Sequence, residues 1–267
     1  MRSARVQDGL FVGTSGWTYQ SWRGRFYPHD LAQRNWLGWY AGQFSTTEIN
    51  GSFYRTPSLE AVAGWKDTTP PGFVFAWKAS QFITHWKRLN ESCENSLELM
   101  ETRLKRLGTR AGPVLFQLPA RFEANRDRLV GFLRMLPRRR RYAFEFRHAS
   151  WFEARVLDVL TEHDVALCLS DHQHATAPWT ATASYIYIRG HGPGGDYREN
   201  YPTDTLRVWA RRIRGWRRQG KAVFVYFDND HKSAAPADAR RLLELLGRGP
   251  ARIVTRLAAE RRRSVHH

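Results

Sequence analysis

Apolar and polar residues fall in alternating blocks along this chain. Eight short apolar runs, most of them β-branched or aromatic, cover residues 10–13, 46–50, 73–78, 114–118, 142–146, 166–170, 185–189 and 222–227. Stretches of helical periodicity separate them at 30–44, 58–67, 90–107, 125–136, 150–163, 203–219 and 234–246, with Asn90, Ser150 and Thr203 where N-caps belong. Continuous apolar strands alternating with helices predict a parallel sheet covered on its faces. Eight strands close a barrel, so the expected fold class is α/β, a single (β/α)8 TIM-type barrel. Only the sixth connection, 171–183, lacks a helical pattern and reads as a loop. A doubly wound open sheet is the rival, but no Gly-x-Gly-x-x-Gly follows the first strand.

Size agrees with the pattern. The chain has 267 residues, and one such barrel needs about 250. The barrel is expected over 1–255, with a basic tail over 256–267 that reads as a frayed helix end. The first nine residues lack the apolar stretch of an export signal, and no apolar run approaches the roughly 20 residues of a membrane span. Cys93 and Cys168 suggest neither a disulfide framework nor a cysteine metal site. The expectation is a cytoplasmic protein with no membrane partner; oligomeric state is not legible. A net charge of +17 would attract nucleic acid, yet 36 of the 42 basic residues are Arg, a skew that a GC-rich genome also produces. The runs Arg138 to Arg141 and Arg211 to Arg218 precede strands, which puts them at the strand N-terminal face.

In such barrels the chemistry sits at the C-terminal strand ends, and those ends are polar here. They carry Glu48 and Asn50, Lys78, Gln117, Glu145 with Arg147 and His148, Ser170-Asp171-His172, Arg189 with His191, and Asp228-Asn229-Asp230. Two-residue spacing puts Glu48 with Asn50, Glu145 with Arg147, and Arg189 with His191 on shared faces. One reading is a balanced ionic plug of Glu48, Lys78, Glu145, Arg147, Asp171 and Arg189. Buried ion networks rarely add stability over apolar packing, which favours a functional mouth.

The chain resembles the YecE-like family, a domain of unknown function numbered seventy-two. The resemblance rests on Gly13-Thr14-Ser15-Gly16-Trp17, Phe26-Tyr27-Pro28, Glu48-Ile49-Asn50, Phe53-Tyr54-Arg55-Thr56-Pro57, Gln117-Leu118-Pro119, Glu145-Phe146-Arg147-His148, His191-Gly192 and Tyr226-Phe227-Asp228-Asn229-Asp230. It implies a TIM-type barrel and no particular activity. Gly190 stands where the family usually has an aliphatic residue before His-Gly.

Three chemistries compete. In the leading one, a hydrolase or transferase acts on a phosphate-bearing ligand, a nucleotide or nucleic acid. Glu48, Glu145, Asp171 and His191 are the expected catalytic residues. Trp17, Asn50, Tyr54, Lys78, Gln117, Arg147, Arg189 and Asn229 are the expected substrate contacts, with the 190–195 glycine loop a candidate phosphate cradle. A carbohydrate reading uses Glu48 and Glu145 as acid and base. A third reading is a non-catalytic nucleic-acid binder. The cofactor is not legible; a divalent metal is possible, with Glu48, Glu145, Asp171 and His191 able to supply some ligands, but it is not favoured because Lys78 and Arg147 among them would repel a cation, and no metal ligands are assigned. The partner is a small anionic or polyhydroxylated ligand, with nucleic acid as the alternative.

Overall fold

A computed structural model describes residues 9–248. All eight strands form: β1 Leu10–Thr14, β2 Thr46–Ile49, β3 Val74–Lys78, β4 Ala111–Gln117, β5 Tyr142–Glu145, β6 Ala166–Ser170, β7 Tyr185–Gly190 and β8 Ala222–Phe227. Neighbours are parallel in the order β1-β8-β7-β6-β5-β4-β3-β2. A bridge between Ser15 and Glu48, with Gly16 N donating to Glu48 O at 2.8 Å, joins the two ends of that series. The result is a nearly closed barrel and not an open doubly wound sheet.

The β1/β2 seam is closed by a side chain. The Tyr40 hydroxyl accepts from Thr14 N at 2.9 Å and donates to Thr46 O at 3.0 Å, completing a ladder that backbone alone leaves open. Gly13 makes this approach possible, because a Cβ there would lie 2.2 Å from Thr46 O.

Helices occupy the connections: α1 Trp36–Ala41, α2 Leu59–Thr68, α3 Glu94–Leu107, α4 Arg126–Met135, α5 Ala154–Glu162, α6 Thr203–Arg218 and α7 Ala234–Leu245. The sixth connection has no helix, as expected. Asn90 caps a short 3-10 turn, Glu91–Cys93, that leads into α3. Two other expected caps are corrected. Ser150 lies inside the turn Ala149–Phe152, so α5 starts four residues later, and Thr203 is already helical behind Pro202. The helix expected over 30–44 is shorter: a 3-10 turn, Gln33–Asn35, leads into α1, and ahead of it Arg23 Nη1 holds the carbonyls of His29 at 2.9 Å and Leu31 at 3.1 Å. The 256–267 tail lies outside the described residues, as does the 255 boundary. Among the described residues no helix is long and apolar enough to cross a membrane.

Two apolar layers hold the fold. One lies between the helices and the outer face of the sheet. The other fills the barrel, where small Ala76, Ala143 and Ala166 make room for Tyr185, Tyr187, Phe224 and Tyr226. Phe11 stacks on Phe224 with centroids 4.7 Å apart, and the Arg141 guanidinium covers the Tyr185 ring at 5.4 Å. Burying each such side chain contributes about 1.5–3 kcal/mol. The barrel floor is therefore sealed, and access is from the strand C-terminal end.

Candidate functional site

Two-residue alternation carries the inward positions of β7 upward from Tyr185 through Tyr187 to Arg189, then to His191 beyond the strand. Arg189 is fully buried at the centre of the upper barrel. Its Nη1 donates to Glu145 Oε2 at 2.7 Å, and its Nη2 to Glu48 Oε1 at 2.9 Å, Asp228 Oδ2 at 2.7 Å and Ser15 Oγ at 3.0 Å. Four strands thus meet on one guanidinium. Burial alone would pull a proton from Arg189, but Asp228, Glu48 and Glu145 more than reverse this and hold it firmly charged.

Both expected catalytic glutamates are saturated and fully buried. Glu48 takes Arg189 and Ser15 on Oε1 and the Tyr187 hydroxyl on Oε2 at 2.6 Å. Glu145 takes Arg147 Nη2 at 2.6 Å on Oε1 and Arg189 on Oε2. Burial pushes the Glu145 carboxyl up, yet Arg147 and Arg189 hold it well below the usual carboxylate range. The pair shares one arginine and anchors it; neither glutamate faces solvent.

His191 and Asp171 form a second unit beside the first. The His191 backbone N donates to Asp171 Oδ1 at 2.8 Å, and its Nδ1 lies 3.4 Å from the same oxygen. Its Nε2 faces two guanidinium donors, Arg189 Nη1 at 3.1 Å and Arg147 Nη2 at 3.4 Å. The Tyr201 hydroxyl holds the other Asp171 oxygen. The 190–195 loop is no free cradle: Gly192 N donates to Tyr201 Oη at 2.8 Å and Gly195 N to Gly192 O at 2.9 Å. Gly190 is required because Trp209 and the Tyr201 hydroxyl stand 2.9 Å from where its Cβ would be.

Lys78 is placed differently. Its Nζ donates to Asn50 Oδ1 at 3.1 Å and lies 4.4 Å from the Phe53 ring centroid. Among the described residues no carboxylate comes within ion-pair distance of it, since the nearby ones are engaged by Arg189 and Arg147. Burial, then the like charge of Arg189, brings Lys78 down to about 8 against the pull of Asp228, Glu48 and Glu145.

Other expected contacts lie elsewhere. Trp17 packs edge-on against Trp65 at 5.4 Å as a wall of the outer core. Gln117 turns back to Leu118 O at 3.3 Å. Asn229 faces α7, donating to Asp238 Oδ2 at 2.8 Å and Glu199 O at 2.7 Å. Tyr54 stands 70% exposed on the rim. Among the described residues no group of three or more His, Cys, Asp or Glu is arranged to hold a metal ion. At the opposite end, Arg139 and Arg140 pair with Glu101, away from the mouth.

Sequence reasoning missed Ser15, Tyr187, Asp228, Tyr197 and Asp230 as site residues. Ser15, Tyr187 and Asp228 were findable by extending the inward alternation of β1, β7 and β8. Tyr197 accepts from Arg147 Nη1 at 2.8 Å through a backbone with φ 71°, which no pattern announces. It also lines a cleft of about 390 Å³ with Asp230, Arg198, His231 and Lys232. Burial, then Asp228, raises Asp230 to about 6.

The family described as "Protein of unknown function DUF72" matches residues 11–262, nearly the whole chain. The chain belongs to the DUF72 family. The UPF0759 protein YunF of Bacillus subtilis is 24% identical, covering 89% of this chain and 94% of its own length. A crystal structure of a DUF72 family protein from Thermotoga maritima is 26% identical with a TM-score of 0.79, covering 89% of this chain and 99% of that one. A second, from Enterococcus faecalis, agrees in fold at 18% identity and a TM-score of 0.75, covering 89% and 95% of the two chains. The DUF72 barrel described here therefore matches solved relatives along almost their full lengths.

Proposed function

We propose that the mouth of this DUF72 barrel binds a compact phosphate-bearing ligand and acts on it as a hydrolase or transferase. The observation that carries this reading is Lys78, a buried cation without a carboxylate partner. Removing a charge from water without a counter-ion is costly, and an anion seated between Lys78 and Arg147 supplies one. Arg147 offers a second cation at the edge of the cluster, tied to the cleft wall through Tyr197. Arg198, His231 and Lys232 add basic groups along that cleft.

Roles follow from what each group has left to give. Arg189 has both terminal nitrogens engaged and acts as the fixed centre, with Glu48, Glu145 and Asp228 holding it. Asp230, near 6, is the carboxyl able to exchange a proton at neutral pH. His191, with Asp171, orients Arg147 and Arg189 as an acceptor.

A ligand that binds only the folded state raises its apparent stability. Inorganic phosphate, nucleotides and sugar phosphates are expected to raise the Tm of the wild type, and Lys78→Met to lose that response while staying folded. Release of phosphate from the responding compound, slowed in Asp230→Asn, would support turnover. Stabilisation by none of these compounds, or undiminished stabilisation of Lys78→Met, would remove the reading.

A further inference from the structure

We propose that Lys78 is an amine nucleophile that condenses with the carbonyl carbon of a phosphorylated aldehyde or ketone and holds it as an imine at the end of β3. This rests on the reading above only for the seat of the phosphate group, at Arg147.

An amine that adds to carbonyls must be fixed in place, reachable and free of a tight ion pair. The backbone of Lys78 is fixed: Ser52 Oγ lies 2.6 Å from Lys78 O and 2.7 Å from Ile49 O, clamping the ends of β2 and β3 together. Lys78 keeps a trace of exposure at the strand C-terminal end, 6% of its surface, where Arg189 keeps none. It is also unpaired, because Glu48, Glu145 and Asp228 are bound to Arg189 and Arg147. Asn50 contributes a single neutral acceptor at 3.1 Å, which orients the amine without fixing its charge.

The surroundings shift Lys78 towards the neutral form without emptying the charged one. Burial opposes the ammonium most and the like charge of Arg189 from β7 adds to it, while Asp228 after β8, Glu48 from β2 and Glu145 from β5 favour the ammonium without cancelling the two. On the turn after β3, His85 packs edge-on against Phe53 at 5.1 Å. Burial, then Lys78 and Arg147, lowers His85 to about 4, so it adds no charge at neutral pH. With Lys78 near 8, about a tenth of the amine is unprotonated at pH 7, a few hundred-fold more than for an ordinary lysine.

The step balances without a further reagent. The Nζ lone pair attacks the carbonyl carbon and the C=O π pair moves to oxygen, which takes a proton released from nitrogen. The carbinolamine then expels that hydroxyl as water with a second proton from the original ammonium. The sum is one ammonium and one carbonyl giving one protonated imine and one water. The protonated imine carries the same single positive charge as the ammonium it replaces, and the phosphate of the bound molecule supplies its counter-ion.

The test is reductive trapping on the full wild-type chain at pH 8, with glycolaldehyde phosphate and glycolaldehyde as probes and borohydride as the reductant, read by intact mass and peptide mapping. Lys66, Lys87, Lys105, Lys221 and Lys232, none of them buried, serve as controls within the same molecule. The expected result is a single adduct on Lys78, at least ten-fold faster than on any other lysine and at least ten-fold faster with the phosphorylated probe. Equal trapping of Lys78 by both probes would support the imine and overturn the phosphate seat. Adducts spread over the other five lysines with Lys78 unmodified would overturn the imine, and would do so even if phosphate compounds still raise the Tm.

Discussion

The lower and upper halves of the barrel interior use the same strands and the same two-residue alternation, yet they cohere by different physics. Below, Phe11, Leu115, Tyr185 and Phe224 fill volume around alanines. Above, Glu48, Glu145 and Asp228 surround Arg189 with directed bonds, and Arg147 bonds Glu145 in turn. β7 crosses from one regime to the other within five residues, from Tyr185 to Arg189. The lower half is governed by shape, where a lost methylene costs in proportion to the cavity left. In the upper half pairing governs, and a lost partner leaves a charge stranded.

The contrast can be broken by substitution. Arg189→Met should have the largest effect, about 3–5 kcal/mol of destabilisation in urea titration, because three carboxylates lose their common partner. A loss below about 1 kcal/mol would mean that the carboxylates find water or protons instead. Leu115→Ala should cost about 2–5 kcal/mol as a cavity, and by the same amount at every pH. Glu145→Gln should differ in exactly that respect. Its folded-state pKa is lowered, so its contribution is present above the ordinary carboxylate value of about 4.3 and is lost as pH falls through the lower folded value. The variant should therefore be less stable at neutrality and show a flatter stability profile below about pH 4.

Tyr187 marks the boundary, apolar in body and bonded at its tip to Glu48. Tyr187→Phe should cost about 1.5–3 kcal/mol, the range for a buried hydrogen bond to a charged group. Lys78→Met should be the least damaging at neutral pH, since no ion pair is lost and an uncompensated buried charge is removed, and any change there should be towards stabilisation. Its signature is again pH. The folded-state value near 8 lies below the unfolded one of about 10.4, so the unfolded chain holds more protons between them. Wild-type stability should rise over that interval, and Lys78→Met should remove the rise.

The strand order and nearly every strand boundary were legible because apolar runs and their spacing are local properties. Helix starts were less so: Ser150 has the chemistry of a cap, but its hydroxyl accepts from Ala124 N at 2.8 Å instead. At the mouth, alternation found Glu48, Glu145, Arg147 and Arg189. The choice of Asn229 over Asp228 missed the parity of β8, in which Tyr226 and then Asp228 point inward. What a polar side chain does depends on which partners already occupy it, and those come from segments as much as 174 residues away, as with Arg189 and Ser15. Lys78 and Arg189 look equivalent in sequence; the engaged neighbours make one a fixed centre and the other an open cation.

The Tyr40 hydroxyl in the β1/β2 seam makes ring closure depend on a helix. The Thr14 amide proton is retained by a side chain of α1 rather than by a neighbouring strand, so its hydrogen exchange reports the docking of α1 and not the unzipping of the sheet. Ser15 and Glu48 lie directly at this joint. A barrel that breathes there would loosen its mouth first while β1 and β8, the first and last strands of the ring, stay paired.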